Sequence, residues 1–218
     1  PGSFASPAPE EFLERANTSL QETSEYFKDA SVVIVTFGTS WVFRHKERDI
    51  IVSNCHKVPA YEFRRERLDV DEIVDIFSPL ISHPEWGANK KWIFTVSPIR
   101  HLKDGLHGNQ ISKAILLLAI EKMCASFDNA HYFPAYEIVL DELRDYKYFA
   151  EDTVHPSDET VKILFLYMFS TECHLESQLG IHNHLVYRES LRDVTKIHIV
   201  CTEEDGHTIS WDELHNET

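Results

Sequence analysis

The sequence has 218 residues, of which 43% are hydrophobic and 11% aromatic, so it is long and apolar enough to form one main domain with a sizeable core. Its 36 acidic and 21 basic residues give a formal net charge of −15, which repels nucleic acid backbones and anionic membrane surfaces. No apolar run approaches the roughly 18 to 20 residues of a membrane helix, and no signal segment opens the sequence. We therefore expect a soluble protein without nucleic acid or membrane partners.

The first predicted element is a helix that begins in "SPAPEEF", where Ser6 can act as a cap and Pro7 suits the first turn. The helix ends near Asp29. Its apolar spacing predicts an inward stripe made of five residues: Phe12, Ala16, Leu20, Thr23 and Phe27.

A buried strand follows in "SVVIVTFGTS", a β-branched run that is typical of a strand covered on both faces in a parallel sheet. In open α/β sheets, ligands bind beyond the carboxyl ends of the strands. Gly38, Thr39 and Ser40 therefore stand where a site is expected to form.

The segment "DIIVSNCHK" predicts a second short strand, either an edge strand or one arm of a hairpin, which Pro59 ends. A helix is predicted in "LDVDEIVDIFSPLI", because Asp69 and Glu72 have the spacing of a capping box. Four apolar residues of this helix have the spacing of an inward face: Val70, Ile73, Phe77 and Leu80.

The third predicted strand lies in "KKWIFTVSP" and is followed by the polar loop "IRHLKDGLHGNQ" and the helix "ISKAILLLAIEKMCASF". We interpret Asn109 as a cap of this helix, and Lys113 as a solvated or salt-bridged helix residue rather than a general base. A short strand in "AHYFPAYEIV" and a short acidic and aromatic helix in "LDELRDYKYFAED" come next. Helices alternating with buried strands predict a layered α/β fold.

Asp141, Glu142 and Asp145 of the acidic helix could be taken for the paired carboxylates of a glycosidase. They alternate with Arg144 and Lys147, however, and this alternation is typical of a charged helix face. We therefore interpret them as surface residues.

The segment "YFAEDTVHPSDETV" carries Asp152 and His155 three residues apart, a spacing that can place two members of a catalytic triad on one loop. Pro156 favours an extended backbone at His155, and Ser157 can cap the following helix. The same two residues could instead only hydrogen-bond within a capping loop. The apolar face of the following helix is predicted to contain Val161, Leu164, Phe165, Met168 and Phe169.

Residues 171–218 form a divergent C-terminal extension to a main domain at residues 1–170, with a possible strand at Ile197–Cys201. His182 and His184 form an H-x-H pair, but no carboxylate or thiol stands at ligand spacing, so we expect no metal and no cofactor. The four cysteines form no C-x-x-C pair, and we expect buried free thiols: Cys55, Cys124, Cys173 and Cys201. Free thiols favour the cytoplasm, although a signal peptide on a preceding segment would change this location.

In order along the chain, "FGTS", "TVSP", "YFPAYEI" and "DTVHPSDE" resemble the later blocks of the SGNH (GDSL-type) hydrolase superfamily. The segments "TFGTSWV", "NCHKVPAYEF", "TVSPIRHLKDG", "NQISKAILLLAI" and "FPAYEIVLDELRDYKYFAEDTVHPS" resemble the bacterial GSCFA family from about Ser3 to Phe169. The resemblance implies a three-layer flavodoxin-like fold, with a mostly parallel sheet between helices, and serine ester or acyl hydrolase activity. It also implies that Asp152 and His155 belong to the triad and that Gly38 lines the oxyanion hole.

Two positions depart from the superfamily pattern. SGNH enzymes carry the nucleophilic serine after a strand upstream of the glycine block, and the 30 residues before Ser31 contain no predicted strand. We expect this serine on a segment upstream of the sequence, so that the chain alone is inactive; Ser3 in "GSFAS" is the alternative nucleophile. Ser40 stands where the superfamily has an oxyanion asparagine, and a hydroxyl is a single rotating donor.

Five polar residues follow the predicted strand ends and either orient a polar substrate or tie the loops together: Asn54, His56, Arg100, His101 and Asp104. A carbohydrate O-acyl ester suits such loops better than a lipid. A non-catalytic binding module with the same fold is the alternative function. We also expect the tail at Ile197–Cys201, or a second copy of the chain in a homodimer, to cover an open edge of the sheet beside the "SVVIVTF" strand.

Overall fold

The computed structural model describes residues 8–52, 58–169 and 198–201. It is a mixed α/β structure with a parallel sheet in the strand order β6-β5-β1-β7. The strands of this sheet are β1 (Val32–Phe37), β5 (Lys91–Val96), β6 (Ala130–Phe133) and β7 (His198–Cys201). The helices are α1 (Pro9–Asp29), α2 (Val70–Ile81), α3 (Gly105–Ser126), a single turn α4 (Ala135–Glu137) and α5 (Asp158–Phe169). None of the helices in these ranges is long and apolar enough to span a membrane.

The central strands alternate their side chains between two separate apolar clusters, as a strand with both faces covered must do. On one side, Val33, Phe94 and Val96 pack with the buried residues of α2 and α3. On the other side, Ile34 and Ile93 pack with the buried part of α5 and with the residues that follow β6. Both buried strands predicted from their β-branched runs are confirmed.

The tail strand β7 pairs in parallel with β1, with Val33 opposite His198 and Thr36 opposite Cys201. This pairing confirms the first of the two predicted covers for the edge of β1. The alternative cover, a second copy of the chain in a homodimer, stays a prediction.

Helix α1 corrects the sequence prediction, because it has no buried residue. Phe12 and Leu20 of the predicted inward stripe are 43% and 69% exposed. Contact with the core is made at the end of the helix, where Phe27 packs edge-on against Trp86 and Trp92. The buried ammonium of Lys90 binds the carbonyl oxygens of Lys28 (2.8 Å) and Ala30 (2.5 Å), a favourable place for a cation because helix carbonyls end there unpaired.

A second, antiparallel sheet has the strand order β3-β2-β4, with β2 at Trp41–His45, β3 at Ile50–Val52 and β4 at Phe63–Arg67. Strand β3 is an arm of a hairpin with β2 and also an edge strand of this sheet, so both predicted forms of the strand in "DIIVSNCHK" are confirmed. Strands β2 and β4 were not predicted, since their charged residues conceal the alternating pattern. The Arg65 guanidinium lies 4.2 Å from the centre of the Trp41 ring and covers it.

The helix boundaries are partly as predicted. The capping box of Asp69 and Glu72 is present at the start of α2, and the Ser157 hydroxyl accepts the Thr160 N–H at the start of α5. In α5, however, Thr160 is fully buried while Val161 is exposed, so the inward face is rotated relative to the prediction. The predicted helix in "LDELRDYKYFAED" is instead a π-helical segment at Ile138–Leu143 followed by a 3₁₀ turn at Tyr146–Tyr148.

Cys124 is a free thiol, as predicted, and burial raises its pKa to about 11, with the Glu121 carboxylate adding to the effect. At ordinary pH this thiol is therefore protonated and a poor nucleophile. Cys55 and Cys173 lie outside the described residues, and only the backbone of Cys201 is described.

Candidate active site

The Asp152–His155 loop, which we define as Ala150–His155, is closed by its own backbone. The Ala150 N–H donates to the His155 carbonyl (2.8 Å), and the Thr153 N–H donates back to the Ala150 carbonyl (2.8 Å). Thr153 has a φ of 58°, a left-handed conformation that a β-branched residue rarely adopts. The loop therefore has a defined shape that turns the chain back on itself between Phe149 and Pro156, which pair as an antiparallel bridge.

The Asp152 carboxylate accepts three hydrogen bonds from this loop. One oxygen accepts the N–H groups of Val154 (2.8 Å) and His155 (3.0 Å), and the other lies 2.5 Å from Nδ1 of His155. The hydrogen bond from the His155 side chain, followed by the two backbone N–H groups, lowers the pKa of Asp152 to about 2. The carboxylate is therefore charged at neutral pH and holds a proton on Nδ1 of His155, which leaves Nε2 as a proton acceptor.

The loop is attached to the segment that follows β5. The Arg100 N–H donates to the Val154 carbonyl (3.2 Å), and the Arg100 guanidinium lies 4.8 Å from the centre of the Phe149 ring. Of the two roles predicted for Arg100, this geometry supports tying the loops together. Because Arg100 comes shortly after the carboxyl end of β5, the contact brings Asp152 and His155 to the edge of the sheet where ligands are expected.

The carboxyl ends of β1 and β5 are joined by a buried lysine. Nζ of Lys113 donates to the carbonyl oxygens of Gly38 (2.5 Å) and Ser97 (2.6 Å), and only 1% of Lys113 is exposed. Of the two states predicted for Lys113, the solvated one is wrong, because the residue lies on the buried stripe of α3. Its spacing to Leu116 and Ile120, which are also buried, was the signal that could have found it.

A group of hydroxyls lies beside the lysine at the end of β1. The Ser112 hydroxyl accepts the N–H (2.8 Å) and the hydroxyl (3.0 Å) of Ser40, and it lies 3.0 Å from the Thr39 hydroxyl. Both donors of Ser40 therefore end at Ser112. Ser112 was not singled out from the sequence, where a serine in a helix carries no signal of its own.

Gly38 and His101 lie against each other. A Cβ added to Gly38 would be 3.5 Å from Nε2 of His101, which is an ordinary contact distance. The His101 N–H donates to the Asn109 side chain (3.0 Å). Asn109 thus holds the preceding loop from within α3, which begins at Gly105, and the prediction that it caps this helix is corrected.

A cavity of about 230 Å³ opens next to these residues. Its polar lining includes Arg100, His101, Asn109, Gln110 and Tyr136, and the Tyr136 hydroxyl donates to the Gln110 side chain (2.6 Å). Donors and acceptors are therefore available on one side of the candidate site. Four predicted site or ligand residues lie outside the described ranges: Asn54, His56, His182 and His184. Ser3 lies outside them as well.

Within residues 8–52 and 58–169, no group of three or more His, Cys, Asp or Glu side chains is arranged to hold a metal ion. The family model described as "GSCFA family" matches residues 1–166 of the chain. No curated protein and no solved structure matches the chain.

Proposed function

Because the chain belongs to the GSCFA family, we propose that it provides the acid–base half of a serine ester hydrolase of the SGNH kind. The observation that carries this proposal is the 2.5 Å contact between Asp152 and Nδ1 of His155, with the carboxylate held in its charged form. A triad requires such a contact, because the carboxylate fixes the tautomer and stabilises the imidazolium that forms. The three-layer flavodoxin-like fold is part of the same proposal.

In the proposed reaction, Nε2 of His155 takes the proton from a serine hydroxyl as the oxygen attacks the ester carbonyl carbon. The imidazolium then protonates the leaving alcohol, and water releases the acyl group in the reverse sequence of proton transfers. We assign the nucleophile to a serine outside the described residues, since SGNH enzymes carry it upstream of the glycine block. Ser3 is the alternative within the present sequence.

The oxyanion hole is placed at the carboxyl end of β1. Gly38 offers close backbone approach there, and Nζ of Lys113, 2.5 Å from the Gly38 carbonyl oxygen, holds this backbone in place. Backbone N–H groups in fixed positions stabilise a developing oxyanion. Ser40 joins this role by rotating its hydroxyl away from Ser112.

The proposed substrate is a neutral carbohydrate O-acyl ester. The polar cavity beside Arg100 and His101 has donors and acceptors that suit a sugar hydroxyl, and the net charge of −15 opposes binding of anions. Asn54 and His56 are proposed to contribute from the neighbouring segment.

The proposed roles are tested by hydrolysis of p-nitrophenyl acetate with the natural protein. We expect His155→Ala to lower kcat/KM by at least about 10³-fold, and Asp152→Asn by about 10²- to 10⁴-fold. His107→Ala, which removes an exposed histidine of α3, serves as the matched control and should leave the rate unchanged. Equal rates for native protein and His155→Ala would exclude His155 as the base.

A fluorophosphonate probe, which reacts only with an activated serine, separates this proposal from a non-catalytic binding module. Labelling of the natural protein that is lost in His155→Ala supports the hydrolase and, by mass spectrometry of the peptides, identifies the serine. An absence of labelling in the natural protein favours the binding module.

A further inference from the structure

The two faces of the parallel sheet differ near the carboxyl ends of β1 and β5. On the face toward α2 and α3, the side chains remain apolar as far as Val96. On the face toward α5, apolar Ile34 and Ile93 give way to Thr36, Thr95 and Ser97. Near the carboxyl ends of β1 and β5, the sheet face toward α5 is therefore more polar than the opposite face.

These hydroxyls line a groove of about 180 Å³ between the sheet and α5. The remaining lining is mostly apolar and includes Phe133, Ala135, Val161, Leu164, Phe165 and Met168. For comparison, an apolar protein cavity of about 150 Å³ is large enough to bind benzene. The groove therefore has room for a short hydrocarbon group.

Thr95 carries a buried polar atom without a partner. Thr95 is 4% exposed, and among the described residues its hydroxyl oxygen has no hydrogen-bond partner. A buried hydroxyl left unsatisfied costs free energy, which a ligand oxygen that pairs with it would recover. The groove thus combines an apolar lining with one hydroxyl, that of Thr95, that can form a hydrogen bond with a ligand.

The groove begins next to the proposed base. Pro156, which directly follows His155, lines it together with Ser97 and Pro98 at the end of β5. Thr95 is two residues earlier in the strand and therefore roughly 6 to 7 Å deeper, at about 3.3 Å per residue. A group that enters from His155 would meet Pro156, Pro98 and Ser97 first and the Thr95 hydroxyl further in.

We propose that this groove binds the acyl part of the ester, and that it selects a short aliphatic acyl group that carries one hydroxyl or carbonyl oxygen along its chain. This inference rests on the proposed hydrolase function, because only an ester substrate has an acyl part to place in the groove. The alcohol part of the ester would lie in the polar cavity beside Arg100 and His101. The Thr95 hydroxyl recognises the oxygen of the acyl chain, and α5 covers its carbon atoms.

The test measures binding without turnover, using this 218-residue chain. N-methyl hexanamide and its 3-, 4- and 5-hydroxy derivatives are not ester substrates, and they are titrated while the methyl signals of Ala135 and Met168 are followed by NMR. We expect these signals to shift, and at least one hydroxy derivative to bind about five-fold more tightly than the parent amide, as one added hydrogen bond allows. Thr95→Val should abolish this preference while the parent amide still binds.

Two further variants control for general effects on the fold. Ala135→Leu fills the groove and should weaken binding of every probe at least ten-fold, whereas Ala114→Leu on the exposed side of α3 should change nothing. If Ala135→Leu does not fold, Thr95→Val decides alone. A hydroxyl preference that survives in Thr95→Val, or an absence of shifts at Ala135 and Met168, overturns the inference.

The same measurements separate this inference from the proposed function. Binding of the hydroxy amides at Ala135 and Met168 supports the acyl groove even if no ester is hydrolysed, in which case the hydrolase proposal fails. Hydrolysis that depends on His155, without probe binding in the groove, supports the hydrolase and overturns the acyl groove.

Discussion

The Asp152–His155 loop and the strand ends around Gly38 belong to one candidate site, yet they are held by contacts of very different range. In the loop, the hydrogen bonds of the Asp152 carboxylate join residues two or three positions apart. At the strand ends, Lys113 binds carbonyl groups that are 16 and 75 positions away in the sequence. The side chains of Asp152 and His155 are 47% and 43% exposed, whereas Lys113 is buried.

This difference predicts which substitutions change catalysis and which change the free energy of unfolding. Exposed hydrogen bonds within a loop contribute little to the free energy of unfolding, while buried polar groups that lose their partners cost much more. Substitutions in the loop should therefore change catalysis with little effect on folding. Substitutions at the strand ends should change stability first, because they connect elements that are distant in sequence.

The largest effect is expected for Lys113→Met, which leaves the Gly38 and Ser97 carbonyl oxygens without their shared donor. We expect the free energy of unfolding to fall by about 3 kcal/mol, measured by urea denaturation. The matched control is Lys122→Met on the same helix, since Lys122 is half exposed and pairs with Asp71 at the surface. If both variants lost the same free energy of unfolding, the buried contacts of Lys113 would contribute no more to stability than the exposed ion pair of Lys122.

Ser112→Ala should have the next largest effect, because it removes the acceptor of the Ser40 N–H and hydroxyl. We expect a loss of about 2 kcal/mol in the same denaturation measurement. Ser126→Ala, at the exposed end of the same helix, removes a hydroxyl that bonds within the helix and should cost less than about 0.5 kcal/mol. If Ser112→Ala lowered the free energy of unfolding no more than Ser126→Ala does, the Ser112 hydroxyl would not stabilise the end of β1.

Thr153→Gly probes the loop and should act in the opposite direction. A non-glycine residue in the left-handed region destabilises the folded state by about 1 to 2 kcal/mol, and glycine removes this strain. Glycine also stabilises the unfolded chain, because it has more conformational freedom there, and this offsets part of the gain. We expect a net gain of up to about 1 kcal/mol in the free energy of unfolding. Thr18→Gly in the exposed part of α1 should instead lose about 0.5 to 1 kcal/mol, and a loss at both positions would contradict strain at Thr153.

The smallest effect is expected from protonation of Asp152. A carboxyl group whose pKa is about 2 in the folded state and about 3.9 in the unfolded state stabilises the fold only while it is ionised. The stability advantage of native protein over Asp152→Asn should therefore be complete above about pH 4 and disappear as the pH falls through 2. Urea midpoints at pH 6, 4 and 3 measure it, and His155→Ala should reduce the pH dependence. An advantage that grows on acidification would be incompatible with a lowered pKa.

The parts of the site that could be predicted from the sequence are those that depend on nearby residues. The D-x-x-H spacing forms its contact within one loop, and the Asp69 capping box and the Ser157 cap form within one helical turn. The buried strands were evident because a β-branched run reflects burial on both faces.

The parts that could not be predicted depend on where distant elements meet. Nothing adjacent to Ser112 indicates that Ser40, 72 positions earlier, will donate two hydrogen bonds to it. The amphipathic pattern of α1 shows that a face is apolar, but it does not show whether another element covers that face. The hydroxyl of Thr95 has significance only once α5 is known to lie opposite it.

The pairing of β7 with β1 has a consequence for how the chain is completed during synthesis. His198 lies 165 positions after its partner Val33, whereas Trp92, the partner on the other side, lies 59 positions after it. Closing the longer connection costs only about 1 kcal/mol more, because loop entropy grows with the logarithm of length. Time is the greater difference: at about 5 to 20 residues per second, the outer edge of β1 stays unpaired for roughly 10 to 30 s after β1 is made. The apolar edge most prone to pair with another chain is thus the one that the nascent protein closes last.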